Sequence, residues 1–430
     1  MLLELFPKAH GRYTSLPIIG PTLEGYGTWL MKQGYSTDRL HEHFRAAPRL
    51  ARQLQRRHVR SLTGLTRARL RACLPKESKA DPDLTVLVRQ LDRYFETTLS
   101  VYPPPPLTSI EERVRAYATY LEQVRGFARS TYTNHGRTVA NFLTHLGYEK
   151  TPTRLGAVTA RDLESFLCAV GPRQTRASLQ HVVAHLRGFL RYLTFLGEIR
   201  AGLDLQIDTP RVYRGEQLPR ALPWETVHRL LKAIDRTTPM GRRDYAIFLL
   251  IATYGLRACE IVTLTLDDVK WRVGRLRIPQ PKTRDSLWLP LTDAVGTALH
   301  DYLRHGRSAL AVRRQRVPFR GDPPPTSRRL FLRQRTPAGG LKPTAISEAF
   351  QRWSKRSGLA IPFYGVHCLR HSYAVYLLRS GLSLKTIGDL LGHRTLESTC
   401  VYVRLAVDDL REVALDLPAD ATHDVPEVLS

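Results

Sequence analysis

Four consecutive prolines at 103–106 constrain this chain more than any other stretch. Each proline locks its own φ and removes an amide donor, so no helix and no sheet ladder continues through them. The segment VYPPPPLTS at 101–109 therefore reads as a stiff connector, and what lies on either side must fold separately. A chain of 430 residues is in any case too long for one ordinary core. Before the prolines lies a basic, helical segment, residues 1–102, which includes RAAPRLARQLQRRHVRSL at 45–62. After them come IEERVRAYATYLEQV, RSTYTNHGRTVANFLTHLG, TARDLESFLCAV and RQTRASLQHVVAHLRGFLRYLTFLGEI. Each places apolar residues three and four apart, which predicts a small helical bundle over 107–205.

The two segments echo each other. YGTWL at 26–30 resembles YATYL at 117–121, and GLTRARLRACL resembles AVTARDLESFL 93 residues later, from Thr66 to Thr159. A decayed duplication and two amphipathic helices meeting the same packing demand both account for this.

A polar, proline-dotted stretch within 206–222 predicts a linker, and beyond it the texture changes. ETVHRLLKAID, RRDYAIFLLIATYG and RACEIVTLT read as helices. WRVGRLRIPQPKTRDSLWLPL reads as two strands joined by a polar turn near Lys282. RRQRVPFRGDPPPTSRR at 313–329 is expected to be a solvated loop, after which helical patterns resume to about residue 414. The acidic tail, 418–430, is expected to be disordered. The fold class is thus mainly α with a small β-sheet, the last large domain covering 223–417.

Lys+Arg number 65 against Asp+Glu 39, a net charge of +26. That exceeds what solubility requires and points to a polyanionic partner. With no long apolar run and no amphipathic terminal anchor, nucleic acid is favoured over a membrane surface. Cys73, Cys168, Cys259, Cys368 and Cys400 are scattered and never spaced C-x-x-C, which argues against a disulfide framework and a zinc ribbon. A reducing cytoplasm, with the protein on the nucleoid, fits them.

HCLRHSYAVYLLRSG opens with His367, Arg370 and His371, three groups on one face of a helical turn that call for an anion. A zinc site there lacks the glutamate of H-E-x-x-H and a third ligand. Upstream, Arg257 and Glu260 stand three apart, alone no more than an ion pair. Downstream, LGHRTLESTCVYV puts Tyr402 nine positions after His393, and a tyrosine beside two valines reads, alone, as core.

Taken in order, TYGLRACEI, the turn lysine of PKTRDSLWLPL, HCLRHSYAVYLL, LLGH and Tyr402 resemble the tyrosine recombinases, the phage integrase-like strand-exchange enzymes, over about 223–411. The 107–205 bundle resembles that family's SAM-like core-binding domain. Breaking a phosphodiester by storing its bond as a protein ester suits a tyrosine oxygen, here Tyr402. Charge growing on the phosphate oxygens suits fork-shaped, permanently charged arginines, here Arg257 and Arg370. The resemblance implies further that His367 is general base toward the phenol, that His393 hydrogen-bonds the phosphate, and that Lys282 protonates the departing 5′-oxygen. Lys270 competes for that last role. Glu260 reads as a support for Arg257, His371 as a histidine packed behind the site rather than a catalyst, and Cys400 as small and apolar.

The implied product is a 3′-phosphotyrosyl link and a free 5′-hydroxyl, formed without metal or cofactor. The implied assembly is a two-lobed clamp on double-stranded DNA, four protomers on two sites, with VDDLREVAL at 407–415 as a tail helix docking on a neighbour. Residues 1–102 are expected to add a DNA-binding or protomer-contact module. Two rivals remain: a helix-turn-helix regulator built on SLKTIGDLLGH and TLESTCVYV, and a type IB topoisomerase sharing the tyrosine chemistry.

Overall fold

The computed structural model describes residues 2–35, 37–75, 81–98, 101, 107–212, 219–280, 286–307, 328–334, 339–393 and 395–405. The four prolines, Lys282, most of the 313–329 insertion, the 407–415 segment and the acidic tail lie outside them. The chain divides into two compact units, 102–216, and 1–101 together with 217–430.

The first hundred residues form helices α1 (Leu2–Leu5), α2 (His10–Thr14), α3 (Gly20–Lys32), α4 (Thr37–Arg56), α5 (Arg67–Arg71) and α6 (Pro82–Thr98). The long basic pattern is helical only as far as Arg56, and α4 runs on through Pro48. It survives that proline because its buried side, including Phe44, Leu50 and Leu54, lies in a core with Leu87, Leu91 and Phe95 of α6.

The second unit holds α7 (Ser109–Gln123), α8 (Arg129–His145), α9 (Ala160–Val170) and α10 (Arg176–Phe195). Capping boxes start two of them, Thr108 with Glu111 on α7 and Thr159 with Asp162 on α9. Their apolar stripes meet in one core around Tyr117, Phe142, Phe166 and Phe189. The beginning of the expected linker belongs to this unit. Ile207 is buried in the same core, its carbonyl accepts from Arg187 at 2.5 Å, and Pro210 O accepts from Gln180 at 2.8 Å.

The remaining helices are α11 (Trp224–Lys232), α12 (Pro239–Tyr254), α13 (Ala258–Thr263), α14 (Asp293–Asp301), α15 (Pro343–Arg356), α16 (His367–Arg379), α17 (Leu384–Leu391) and α18 (Glu397–Cys400). Strands β1 (Val269–Lys270), β2 (Arg275–Pro279) and β3 (Ser286–Pro290) form one antiparallel sheet in that order. Helix α12 is apolar on nearly all sides and packs against α11, α14, α15 and α16, as a central helix must. Its buried Asp244 binds Arg243 next to it and Arg352 and Trp353 of α15, so the carboxylate that joins two helices is fully satisfied. The last residues of the expected solvated loop are pinned rather than free: Arg328 pairs with Asp267 and Thr265 bridges Arg329. The fold is mainly helical with one small sheet. Among the described residues no helix is long and apolar enough to cross a membrane.

Candidate active site

Helix α12 ends at Gly255, whose φ of +64° is left-handed. A Cβ there would stand 2.4 Å from Leu391 Cδ2, so glycine is required by backbone and packing together. Two residues on, Arg257 is the N-cap of α13. Its amide donates to Glu260 Oε2 and its Nη1 to Oε1, each at 2.8 Å, while Nη2 reaches Gly392 O at 3.5 Å. Glu260 is buried and fixes Arg257 at both ends, the supporting part its spacing suggested.

Helix α16 presents His367, Arg370 and His371 within its first turns. Arg370 is 2 % exposed and donates to Gly255 O and to Leu391 O, the latter at 2.7 Å. Both acceptors are helix-end carbonyls, which carry partial negative charge. Among the described residues Arg370 forms no ion pair with a carboxylate. Burial, and after it the neighbouring Arg257, pull its guanidinium down to about 10. Helix α17 closes on Gly392, also left-handed, and the next residue, His393, shares a 2.8 Å bond between Nδ1 and Thr399 Oγ1.

Tyr402 follows α18 and is buried with Ala374, Val375, Leu377, Ile387 and Leu391, so the core reading of its ring is correct as far as it goes. Its hydroxyl, however, lies 3.1 Å from His371 Nδ1, and its ring stacks on His393 at 6.3 Å and 13°. Burial raises the phenol above its ordinary value against the opposing pull of Arg370 and Arg257. Burial, followed by nearby cations and imidazoles, lowers His371 and His393 to about 4 and lowers His367 as well. The His367 ring packs edge-on against His371 at 4.5 Å. At neutral pH the site therefore holds a neutral phenol, three neutral imidazoles and two arginines.

Five of the six residues singled out from sequence thus converge: Arg257, His367, Arg370, His393 and Tyr402. The sixth, Lys282, lies outside the described residues. Lys270 pairs with Arg275, whereas Pro279 pairs with Ser286 at the hairpin end. The two ends of β2 are about 13 Å apart at strand rise. It is the hairpin end that meets the site, since a Cβ on Gly392 would stand 2.5 Å from Gln280 Nε2. The contact that sequence did not single out is His371 on the phenol. Its only signal was a place four residues after His367.

Two further expectations can be set against this geometry. Cys400 is exposed. Helix α18 has four residues, too few for the recognition helix of a helix-turn-helix. Among the described residues no three His, Cys, Asp or Glu side chains gather where they could hold a metal ion.

Residues 220–408 match the phage integrase family, and 114–195 match the phage integrase N-terminal SAM-like domain. A protein named integrase/recombinase in Sinorhizobium fredii strain NGR234 is 35% identical over 315 residues, 73% of each chain. Tyrosine recombinase XerD of Listeria monocytogenes serotype 4b is 27% identical over 71% of this chain and 97% of its own. The crystal structure of the XerH site-specific recombinase on palindromic difH substrate is similar in fold, with a TM-score of 0.52 at 17% identity, over 85% of this chain and 93% of that one. With these matches on both helical modules and around the buried tyrosine, the chain belongs to the phage integrase family of tyrosine recombinases.

Proposed function

We propose that this enzyme cuts and rejoins double-stranded DNA at specific sites through an ester between Tyr402 and a 3′-phosphate. The observation that carries the reading is the Tyr402 hydroxyl on His371, beside a buried arginine that among the described residues forms no ion pair with a carboxylate. The Tyr402 oxygen attacks phosphorus, the bond from phosphorus to the 5′-oxygen breaks, and that oxygen leaves as a hydroxyl. A 5′-hydroxyl of a partner strand then attacks the same phosphorus and releases the tyrosine, so the number of phosphodiesters is conserved.

Arg257 and Arg370 bind the phosphate oxygens as charge grows on them, each pre-positioned by carbonyls or by Glu260 and so needing no reorganisation. His393 donates a further hydrogen bond to the phosphate. His371 holds the phenol in the DNA-free chain, and His367, packed on it, is the general base that the family resemblance implies. Lys282 protonates the leaving 5′-oxygen. The antiparallel register supports this choice over Lys270, which lies at the far end of β2. The domains are an N-terminal module to about residue 102, a core-binding bundle at 107–205 and a catalytic domain at 223–417. Four protomers on two DNA sites carry out the exchange.

The test is incubation with nicked substrates drawn from the DNA flanking its own gene, followed by a denaturing gel. A covalent adduct that is absent with Tyr402→Phe is expected. Specific binding without an adduct on any substrate would return the chain to a regulator and Tyr402 to the core.

A further inference from the structure

The echo between the first two segments extends far beyond the two short matches visible in sequence. Tyr26 of α3 is buried with its hydroxyl 2.8 Å from His43 Nδ1 of α4, and Tyr117 of α7 is buried with its hydroxyl 3.1 Å from His135 Nδ1 of α8. Each tyrosine stacks on the aromatic residue one turn further along its helix, Tyr26 on Trp29 and Tyr117 on Tyr120. Each also meets a tyrosine of the last helix in its module, Tyr94 at 5.6 Å and Tyr192 at 5.2 Å.

The buried positions follow in register. Ala47, Leu50, Ala51 and Leu54 on α4 match Val139, Phe142, Leu143 and Leu146 around α8. Leu65, Leu70 and Cys73 match Val158, Leu163 and Phe166, with the N-caps Thr66 and Thr159 at the same place in the series. Val88, Leu91 and Phe95 match Leu186, Phe189 and Leu193. A shared packing demand explains apolar spacing in one helix. It does not explain the same tyrosine–histidine bond and the same buried register carried across four helices.

The surfaces diverge, and in one direction. From His43 to Lys76 the sequence holds no aspartate or glutamate, and Arg69 and Arg71 stand where α9 has Asp162 and Glu164. On α4, Arg45, Arg49, Arg52 and Arg56 are spaced four, three and four apart, one stripe about 16 Å long. Arg49 is paired with Asp81, while Arg45, Arg52 and Arg56 are exposed and form no ion pair among the described residues. A row of arginines at this spacing, three of the four without an ion pair among the described residues, matches a run of backbone phosphates.

We infer that residues 20–98 are a second copy of the 109–195 helical module, and that the arginine stripe on its helix α4 grips the phosphate backbone of duplex DNA outside the site of strand cleavage. The second half of this inference rests on the recombinase reading. The recombinase then occupies more DNA than one core-binding bundle and a catalytic domain cover.

The test compares the full-length chain with Arg45→Glu/Arg52→Glu/Arg56→Glu and with the corresponding triple lysine variant, on the same DNA. Hydroxyl-radical footprints, the salt dependence of binding and adduct formation on a nicked substrate are read together. The wild type and the lysine variant are expected to protect a flank that the glutamate variant leaves open. The glutamate variant is expected to lose roughly 2 to 3 from the log–log salt slope, about 0.9 for each phosphate contact. Adduct on a short site that lacks the flank is expected to form in all three, which also shows that the glutamate variant is folded. Equal footprints and slopes overturn the inference. So does loss of protomer association without DNA, which makes the stripe a protein contact. If no protein forms adduct, the recombinase reading fails, and the footprints still decide whether the stripe binds DNA.

Discussion

The acid limb of the cleavage rate tests the electrostatics of the site directly. His371 lies 3.1 Å from the phenol oxygen, and burial with its cationic and imidazole neighbours lowers it from 6.5 to about 4. His393 is lowered to the same value, and His367 moves in the same direction. A protonated His371 cannot accept a hydrogen bond from the phenol, and a proton on either His371 or His393 sets a further positive charge beside Arg370. At pH 5.5 an unshifted histidine would be about 90% protonated and a rate needing it neutral would fall to about one tenth. A histidine at 4 would be only about 3% protonated at that pH, and the rate would hardly change. For His371 and His393 the sign follows from the lowered values: the neutral form is retained down to about pH 4 and lost only below it.

The assay is the second-order rate of adduct formation with subsaturating nicked DNA, which reports the free enzyme's titrations. Binding of an uncleavable duplex, measured in parallel, corrects for any pH dependence of the encounter. The expected profile shows no loss of rate from His371 or His393 between pH 7.5 and 5.5, and any bend from His367 lies below 6.5, because burial lowers it. A tenfold fall centred near 6.5 would refute the reasoning, because the imidazoles around the phenol would then be as wet as surface ones.

Glu260→Ala removes both Glu260 anchors of the half-buried Arg257, and breaking this pair is expected to lower stability by about 1 to 3 kcal/mol and adduct rate by roughly a hundredfold or more, in urea melts and gel kinetics. Glu260→Gln, which retains the shape, is expected to lose less of both. Gly255→Ala forces a side chain into a left-handed position 2.4 Å from Leu391 Cδ2, and a destabilisation of about 2 to 4 kcal/mol is expected in the same melts. Lys282→Ala is expected to slow cleavage sharply and to be rescued by a substrate with a better 5′-leaving group, whereas Lys270→Ala leaves the rate near that of wild type. The reverse pattern would show that the strand register was the wrong guide.

Much of this was legible in the sequence because it depends on periodicity and local spacing. The four bundle helices, the hairpin and the Arg257–Glu260 pair all rest on residues a few positions apart, where backbone geometry alone decides who meets whom. What escaped depends on the chain returning from a distance. His371 and Tyr402 are 31 residues apart, and their contact depends on the path through α17, Gly392 and α18. Lys270 looked as close to the hairpin as Lys282 did, until the strand pairing put it at the Arg275 end of β2, away from Pro279 and Ser286. Residues 207–210 looked like linker because a single isoleucine among polar residues does not announce that it is buried. The duplicated module was half visible, since substitutions such as Ala51 for Leu143 erase identity while keeping the buried position.

Arg370 shows why the site resists being read as ordinary structure. Lowering a guanidinium from 12.5 to about 10 in the fold corresponds to roughly 3 kcal/mol against the charged, folded state. Because the shift is downward, that penalty is present at neutral pH and is relieved only as pH rises from about 10 toward 12.5. A chain selected for stability alone would replace such a residue with an apolar one of similar volume. The fold instead surrounds it with helix-end carbonyls, which hold it in place without neutralising it. Arg257, which does have a carboxylate, has both of that partner's oxygens committed, one to its own backbone amide and one to a single terminal nitrogen. On the proposed reading the missing charge is an anion that arrives from outside, reaches both guanidinium groups and lies beside the Tyr402 oxygen. A backbone phosphodiester meets all three requirements, and on that reading the stability that Arg370 costs in the empty chain is what makes its binding selective for the charge that cleavage develops.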